Sequence, residues 1–279
     1  MLPDLETLKK IIRDTAQEEI LPRFNQSNYE IKDDGSLVTE ADLAANKRIR
    51  NALAKEYPEI AFLSEEMSLE EQQALLEPSA SIKPLENIKP SNQLWCLDPL
   101  DGTSNFAAGL PLFATSLALI VDGEVQIGIS YDVVRDEMFS AIKNKGAWLN
   151  NDELKCKSSN FSLDNALAII DFKRLEPDLA VRLMKDMPYR SQRNLGASVL
   201  ELVWMAAGRG QIYLHGGMKL WDLAAGSLIL AEAGGHSCTL EGEAIFKLSM
   251  TPRSVLISPG KELFKQWKEY IFQEIADEI

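Results

Sequence analysis

Two carboxylates, Asp98 and Asp101, follow an apolar run at residues 94–97 that predicts a buried strand. Pro99 removes a backbone donor from the turn between them, and Gly102 allows the backbone to approach a ligand closely. Neighbouring carboxylates raise each other's pKa unless a positive charge lies between them. Mg²⁺ prefers carboxylate, carbonyl and water oxygens, so a divalent cation is one such partner. Taken alone, the segment is equally compatible with an Asp-rich turn that binds nothing.

Carboxylates also end or open two other predicted elements. Glu65 and Glu66 end the short apolar run at residues 60–64, and Asp222 opens a predicted helix that runs to Ala233. Each position has a purely structural explanation, because a strand can end in exposed glutamates and aspartate is a favourable helix N-cap. Acids at the ends of three separate elements nevertheless favour one shared site.

Four segments resemble the motifs of the inositol monophosphatase family. They are residues 37–42 (LVTEAD), 62–66 (FLSEE), 98–106 (DPLDGTSNF) and 221–226 (WDLAAG). They occur in the family's order and at about its spacing, and the resemblance spans nearly the whole chain. The resemblance implies a Mg²⁺-dependent phosphatase with a layered sugar-phosphatase fold, in which helix and sheet layers alternate as αβαβα.

The apolar periodicity also predicts a mixture of helices and strands. Helices are predicted at residues 5–22, 39–57, 68–77, 177–187, 198–207, 222–233 and 261–275. Strands are predicted at residues 60–64, 94–97, 113–121, 124–131, 138–142, 147–149, 166–171, 211–214, 235–239 and 254–258. Residues 25–36 are predicted to form a loop, and residues 78–93 a polar connector.

These elements predict two lobes. Residues 1–150 form an α+β lobe with an antiparallel meander and most of the metal ligands. Residues 151–279 form an α/β lobe that carries Asp222 and the substrate-side residues. The Asp122-Gly123 dipeptide between two apolar runs predicts a hairpin within the first lobe.

The resemblance implies two or three Mg²⁺ ions bridged by Asp98. Glu65, Asp98 and the backbone carbonyl of Leu100 would hold the first ion, and a third, weaker ion would also use Glu65. Asp98, Asp101 and Asp222 would hold the second. Paired ions about 3.5–4 Å apart can clamp the attacking and leaving oxygens of an in-line displacement. The implied reaction is hydrolysis of a phosphate monoester by a metal-activated water.

The same resemblance assigns roles around the ions. Thr103 matches the threonine that hydrogen-bonds the nucleophilic water, and Asp42 matches the aspartate that orients this threonine. Asp42 also has a local explanation, because it forms a capping box with Thr39. The N–H groups of Gly102, Thr103 and Ser104 are predicted to open a helix and to bind phosphate oxygens. The predicted catalytic residues are therefore Asp42, Glu65, Asp98 and Thr103.

The alcohol side of the site is defined less sharply. The predicted phosphate- and alcohol-binding residues are Asp101, Gly102, Thr103, Ser104, Arg193, Gly196, Ala197, Ser198 and His215. His215 stands where inositol phosphatases usually have a glutamate, and each imidazole nitrogen makes only one hydrogen bond. This departure argues against a simple assignment to inositol monophosphate.

Four charged residues beside the motifs have two interpretations each. Lys32 is a candidate for a phosphate or mobile-loop contact, and Glu66 for support of Glu65. Lys173 and Arg174 follow a predicted strand and are candidates for binding a second phosphate. The alternative for Lys32, and likewise for the pair Lys173 and Arg174, is a side chain that simply faces the solvent.

Composition excludes several classes of protein. The chain has 279 residues and a net charge of −13, which argues against nucleic-acid binding because the phosphate backbone favours Lys and Arg. Three scattered cysteines, Cys96, Cys156 and Cys238, predict neither a disulfide framework nor a zinc site and fit a cytoplasmic location. The N-terminus lacks the pattern of a signal peptide, and no apolar run is long enough to span a bilayer.

The leading hypothesis is a Mg²⁺-dependent phosphomonoesterase for a small polyol or sugar phosphate, with inositol monophosphate as the default substrate. The alternatives are fructose 1,6-bisphosphate, 3′-phosphoadenosine 5′-phosphate or histidinol phosphate as substrate, or a regulatory protein without turnover. Catalysis through a phospho-aspartate is not expected, since that chemistry needs a second Asp two residues after the first, whereas Asp98 and Asp101 are three apart. The resemblance also implies inhibition by Li⁺ and a homodimer.

Overall fold

Most helices lie within three residues of their predicted bounds. The computed structural model describes residues 2–26, 29–32, 35, 37–76, 92–156 and 161–273. The helices are α1 (Leu5–Thr15), α2 (Glu40–Glu56), α3 (Leu69–Leu76), α4 (Thr103–Ala107), α5 (Pro177–Asp186), α6 (Ser198–Ala206), α7 (Leu220–Glu232) and α8 (Lys261–Phe272). A π-helical turn and a 3₁₀ turn prolong α1 as far as Arg23, where a single continuous helix was predicted up to Pro22.

The strands agree with the predictions in most places. They are β1 (Tyr29–Ile31), β2 (Leu37–Thr39), β3 (Ala61–Ser64), β4 (Gln93–Asp101), β5 (Ala114–Val121), β6 (Glu124–Asp132), β7 (Glu137–Ile142), β8 (Gly146–Leu149), β9 (Asp152–Leu154), β10 (Leu167–Asp171), β11 (Ser191–Arg193), β12 (Ile212–Met218), β13 (His236–Cys238) and β14 (Arg253–Ser258). The loop prediction for residues 25–36 is wrong where β1 pairs with β2. Of the predicted connector, residues 78–91 lie outside the described residues.

The larger sheet is mainly an antiparallel meander. Its strand order is β3-β4-β5-β6-β7-β8-β9, and only the pair β3 and β4 is parallel. The predicted hairpin is confirmed: Asp122 and Gly123 join β5 to β6 with φ angles of 51° and 79°. Two left-handed residues in a two-residue loop match the twist of the flanking strands.

The two faces of this sheet bury alternating residues of each strand. Trp95 and Leu97 of β4 pack with Leu8 and Ile12 of α1 and with the buried side of α2. Cys96, between them in sequence, points to the opposite face and joins another cluster. The helices α1 and α2 therefore form an outer layer on one side of the sheet.

The helices α6 and α7 form the middle layer. Nearly every residue of α7 from Leu220 to Leu230 is buried, as expected of a helix covered on both sides. One side meets the larger sheet closely, because a Cβ on Gly128 would lie 2.7 Å from the carbonyl oxygen of Ala225. The other side packs against Ile169 and other residues of the second sheet.

The second sheet and its outer helices complete the stack. Its strand order is β11-β10-β12-β14-β13, with β10 parallel to both of its neighbours. Its far face packs against Leu183 of α5 and against Leu263 and Trp267 of α8. The layers thus follow the order αβαβα, which confirms the predicted architecture. The division into lobes at residue 150 stays a prediction.

Candidate active site

Three carboxylates from distant parts of the chain meet at one point. Oxygen atoms of Glu65, Asp98 and Asp222 all lie within 4.8 Å of one another. Glu65 follows β3, Asp98 lies in β4, and Asp222 lies in the first turn of α7. Oxygen-only donors at this separation match the coordination that Mg²⁺ prefers. The donor set therefore fits a hard divalent cation.

The parallel pairing of β3 and β4 places Glu65 beside Asp98. Ser64 is in register with Leu97, and the Glu65 N–H donates to the Leu97 carbonyl at 3.2 Å. β3 therefore ends one residue before Glu65, at the level of Leu97, and the next residue of β4 is Asp98.

A local break in β4 shapes the first motif. The pairing with β5 shifts register between Asp98 and Asp101, and the Leu100 N–H donates to Asp98 Oδ1 at 3.1 Å. Gly102 has a φ of 86°, and a Cβ there would lie 2.8 Å from the Leu112 carbonyl. Only glycine tolerates this combination of left-handed backbone and close approach. The break turns both aspartates toward the same side of the chain.

Asp101 and Asp222 are each held by a backbone N–H at a helix start. The Val199 N–H of α6 donates to Asp101 Oδ2 at 2.8 Å, and the Lys219 N–H donates to Asp222 Oδ2 at 3.1 Å. Asp222 is the third residue of α7, so it supports the helix start from within rather than as the N-cap that the sequence suggested. Each carboxylate keeps its second oxygen for another partner.

The cluster concentrates negative charge on buried and partly buried side chains. Asp98 is 1% exposed, and its pKa lies well above 3.8 because of burial first and the Glu65 charge second. Burial and Asp222 likewise raise the pKa of Asp101, and burial with Glu65 raises the pKa of Asp222 to about 6. A divalent cation would favour the ionised forms and remove this repulsion.

Thr103 and Asp42 form a contact between α4 and α2. Thr103 Oγ1 lies 3.1 Å from Asp42 Oδ1 and 3.0 Å from the Leu100 carbonyl oxygen. Asp42 Oδ2 accepts from the Thr39 N–H at 2.8 Å, which confirms the predicted capping box. The two roles predicted for Asp42 are therefore compatible, since each uses a different carboxylate oxygen.

Two lysines lie beside the glutamate pair. Lys32 Nζ is 2.7 Å from Glu66 Oε1, and Lys219 Nζ is 3.6 Å from Glu65 Oε1. Burial lowers the pKa of Lys32, but the charges of Glu65 and Glu66 outweigh it and raise the pKa. Lys219 was not singled out in the sequence, although its position just before the acid of the WDLAAG motif is a usable signal.

A cleft of about 590 Å³ opens over the cluster. Its lining includes the predicted residues Glu65, Asp98, Leu100, Asp101, Gly102, Thr103, Ser104, Lys173, Arg174, Gly196, Ala197, Ser198, His215 and Asp222. Arg193 is not part of this lining. Its guanidinium donates to Ser191 Oγ and the Gln192 carbonyl, both at 2.7 Å, and the predicted substrate contact of Arg193 stays a prediction.

Three polar residues of the cleft were missed from the sequence. Asn105 Nδ2 donates to the Leu195 carbonyl at 2.8 Å, which ties the first motif to the substrate-side loop. Glu201 is buried and accepts from the Leu195 N–H and the Tyr213 hydroxyl. The signal for Glu201 in the sequence was a single charged residue within the apolar run of α6. Asp171 ends β10 as Asp98 ends its own apolar run, so the same rule would have selected it.

Comparisons with known proteins agree with this geometry. A family model described as "Inositol monophosphatase family" matches residues 3–278. "Nus factor SuhB" of Pasteurella multocida is 34% identical over 218 residues, covering 76% of this chain and 75% of the relative. "Inositol monophosphatase 1" of Solanum lycopersicum is 31% identical over 227 residues, covering 79% and 78%. The solved IMPase of Thermotoga maritima has a TM-score of 0.78 at 26% identity, covering 96% of this chain and 97% of its own.

Proposed function

The chain belongs to the inositol monophosphatase family, and from this we propose that it is a Mg²⁺-dependent phosphomonoesterase for a small polyol or sugar phosphate. The observation that carries the proposal is the convergence of Glu65, Asp98 and Asp222 within 4.8 Å, at the floor of a cleft that also contains Thr103. Inositol monophosphate is the default substrate.

The metal site in this proposal uses five ligands. Glu65, Asp98 and the Leu100 carbonyl would hold one ion, Asp98, Asp101 and Asp222 would hold a second, and a weaker third ion would also use Glu65. Their support is the buried, oxygen-only donor set and the raised pKa values of the aspartates. The bound ions supply positive charge to the phosphoryl oxygens and lower the pKa of a water.

Thr103 and Asp42 orient the attacking water in this proposal. Asp42 Oδ2 is occupied by the backbone of Thr39, so Oδ1 remains to accept the Thr103 hydroxyl proton. The Thr103 oxygen then keeps its lone pairs for a water O–H. The N–H groups of Gly102, Thr103 and Ser104 open α4 toward the cleft and suit phosphate oxygens.

Sibling specificities remain the alternative for the substrate. Gly196, Ala197, Ser198 and His215 line the cleft and are proposed to contact the alcohol. Lys173 and Arg174 line it too, which supports a second phosphate, as in fructose 1,6-bisphosphate or 3′-phosphoadenosine 5′-phosphate. Histidinol phosphate is the third candidate.

Phosphate release from a panel of these esters tests the activity. With Mg²⁺ we expect turnover of at least one ester, its loss with a chelator, and its recovery when Mg²⁺ is restored. The Asp98→Asn variant should be inactive, while the Asp152→Asn variant, altered on exposed β9, should match the wild type. Turnover that survives the chelator, or a phosphoryl group trapped on Asp98, would contradict the proposal.

A regulatory protein without turnover is the second candidate. Its support is the name "Nus factor SuhB" carried by several relatives. The complete set of metal-ligating carboxylates favours an enzyme instead. If the catalytically dead Asp98→Asn variant restored every phenotype of a deletion strain, the regulatory function would be preferred. Binding to nucleic acid is not expected at a net charge of −13.

A homodimer, a cytoplasmic location and inhibition by Li⁺ complete the proposal. Arg135 donates to the Pro111 carbonyl, so the segments that carry the exposed Leu110 and Val134 meet, and these two residues supply apolar surface for a partner. Sedimentation at the mass of one 31.1 kDa chain would exclude the dimer. The free cysteines fit a reducing compartment. Among the described residues, no helix has the length and apolarity needed to cross a membrane.

A further inference from the structure

Asp171 and His215 form a pair on one wall of the cleft. They are in register on the parallel strands β10 and β12, and His215 Nε2 lies 3.3 Å from Asp171 Oδ2. The imidazole is almost fully buried, with 4% of its side chain exposed, whereas 18% of the Asp171 side chain remains exposed. The carboxylate is therefore the member of the pair that a ligand can reach.

Both nitrogens of His215 are already engaged. Its Nδ1 accepts the Gly217 N–H at 3.0 Å, which places the imidazole proton on Nε2. That nitrogen lies 3.3 Å from Asp171 Oδ2. The imidazole consequently has no donor or acceptor left for a substrate hydroxyl, although it lines the cleft.

The backbone locks this arrangement. A Cβ on Gly216 would lie 1.6 Å from the Arg174 carbonyl oxygen, so the 3₁₀ turn Phe172–Arg174 lies directly on β12. The Lys173 N–H of this turn donates to Asp171 Oδ1 at 3.0 Å. Asp171 is thus held from its own turn on one side and by His215 on the other.

Asp171 keeps free acceptor capacity. A carboxylate has about four lone-pair sites. The Lys173 N–H and Asn194 Nδ2 donate to Oδ1 at 3.0 and 3.5 Å, and His215 Nε2 lies 3.3 Å from Oδ2, which leaves one acceptor site on Oδ2. Burial raises the pKa of Asp171, but the interaction with His215, the hydrogen bond from the Lys173 N–H and the charge of Arg174 outweigh it and lower the pKa below the ordinary value. The group is an ionised acceptor, which suits a hydroxyl donor.

We propose that Asp171 accepts a hydrogen bond from a hydroxyl of the alcohol portion of the substrate, and that His215 is the positioning residue of this carboxylate. The inference rests on the proposed phosphatase function and names the substrate class: an ester whose alcohol carries at least one further hydroxyl. The site can therefore still bind a polyol with histidine at position 215, because Asp171 on the neighbouring strand supplies the hydrogen-bond acceptor.

Selectivity between two esters tests the role of Asp171. The probes are inositol 1-phosphate and phenyl phosphate, whose alcohol portion has no further hydroxyl. For Asp171→Asn, we expect the ratio of kcat/KM values, inositol ester over phenyl ester, to fall at least about tenfold through KM, as for loss of a hydrogen bond to a charged group. The exposed control Asp152→Asn should keep the wild-type ratio. An unchanged ratio for Asp171→Asn overturns the proposal.

A pair of His215 variants separates positioning from simple structural support. Glutamine keeps a donor near the position of Nε2, and asparagine keeps an acceptor near the position of Nδ1. If His215 positions Asp171, His215→Gln retains most of the inositol selectivity and His215→Asn loses it. If His215 only supports the backbone at Gly217, asparagine is the better replacement, and that result refutes the positioning role.

The two ester probes distinguish a wrong role for Asp171 from a wrong assignment of the phosphatase function. If the wild type releases no phosphate from any ester with Mg²⁺, the proposed phosphatase is wrong and the inference falls with it. If the wild type hydrolyses both probes equally and Asp171→Asn does the same, the phosphatase stands and only the role of Asp171 is refuted. Thermal unfolding of each variant identifies a folding defect. If Asp171→Asn is defective in folding, the comparison of His215→Gln with His215→Asn tests the role of Asp171 instead.

Discussion

Replacing Asp222 with asparagine should stabilise the metal-free protein. Asparagine has the same shape, and its side-chain oxygen can still accept the Lys219 N–H at the start of α7. What it removes is a buried charge facing Glu65 and Asp98. Carboxylates assembled for a metal repel one another when no cation lies between them, so the substitution relieves that repulsion.

The size of the effect follows from the pKa of Asp222. Burial raises it from 3.8 to about 6, and one pKa unit corresponds to 1.36 kcal/mol, so the ionised group costs about 3 kcal/mol at neutral pH. Because the folded chain binds this proton more tightly than the unfolded chain, the cost is present above pH 6 and fades as the pH falls toward 4. For a chain of this size, 3 kcal/mol corresponds to roughly 5–10 °C in Tm.

Thermal unfolding in EDTA and in Mg²⁺ measures both halves of the prediction. In EDTA at pH 7.5, Asp222→Asn should melt above the wild type, and the gap should narrow as the pH is lowered through 6. With Mg²⁺ at about 100 times its Kd, the wild type should gain about 2.7 kcal/mol, and the variant much less. The difference in Tm between the wild type and Asp222→Asn should then become smaller or change sign.

Two outcomes would refute the reasoning. A variant that melts below the wild type in EDTA would mean that Asp222 is not destabilising in the metal-free cluster. A variant that gains as much from Mg²⁺ as the wild type would mean that this carboxylate is not a ligand. Asp152→Asn, exposed on β9, serves as the matched control and should follow the wild type in both conditions.

Three further substitutions test the neighbouring contacts. Thr103→Val should lower kcat by about 100-fold, as expected when the attacking water is misplaced, with the Mg²⁺-induced thermal shift retained; an unchanged kcat would exclude Thr103 from the water-orienting role. Gly216→Ala should cost about 3 kcal/mol in urea unfolding, because its Cβ would meet the Arg174 carbonyl at 1.6 Å, while Gly217→Ala meets only an ordinary 3.5 Å contact and should cost far less. Arg193→Ala should leave KM within about twofold, since its guanidinium bonds to its own strand; a large rise in KM would restore the sequence-based assignment.

The proposed metal ligands came from the family resemblance, and local patterns mark three of their acids. Asp98 follows an apolar run, Glu65 follows another, and Asp222 lies in the first turn of a helix with clear bounds. Parallel pairing of β3 with β4 then brings the first two acids together without any long-range information beyond the strand ends. The αβαβα order came from the family resemblance, and the almost continuous burial of α7 explains why it holds.

The errors have an equally physical origin. β1 was missed because it has only three residues: the alternation of Tyr29, Glu30 and Ile31 is too short to stand out within a polar segment, and all three residues are exposed. It exists through its pairing with β2. Arg193 was predicted to contact the substrate from its motif position, and that contact stays a prediction; in this structure the guanidinium donates to Ser191, a partner that the motif does not specify.

The substrate side shows why one position cannot be judged alone. His215, taken by itself, suggested the loss of a carboxylate that would hold a hydroxyl. The pairing of β10 with β12 sets Asp171 directly beside it, and two residues on neighbouring parallel strands have no spacing in the chain that would reveal the partnership. The same register that buries the imidazole also turns it toward Asp171 Oδ2 at 3.3 Å. Specificity at this wall therefore belongs to the pair, and any exchange at position 215 must be evaluated together with the charge at position 171.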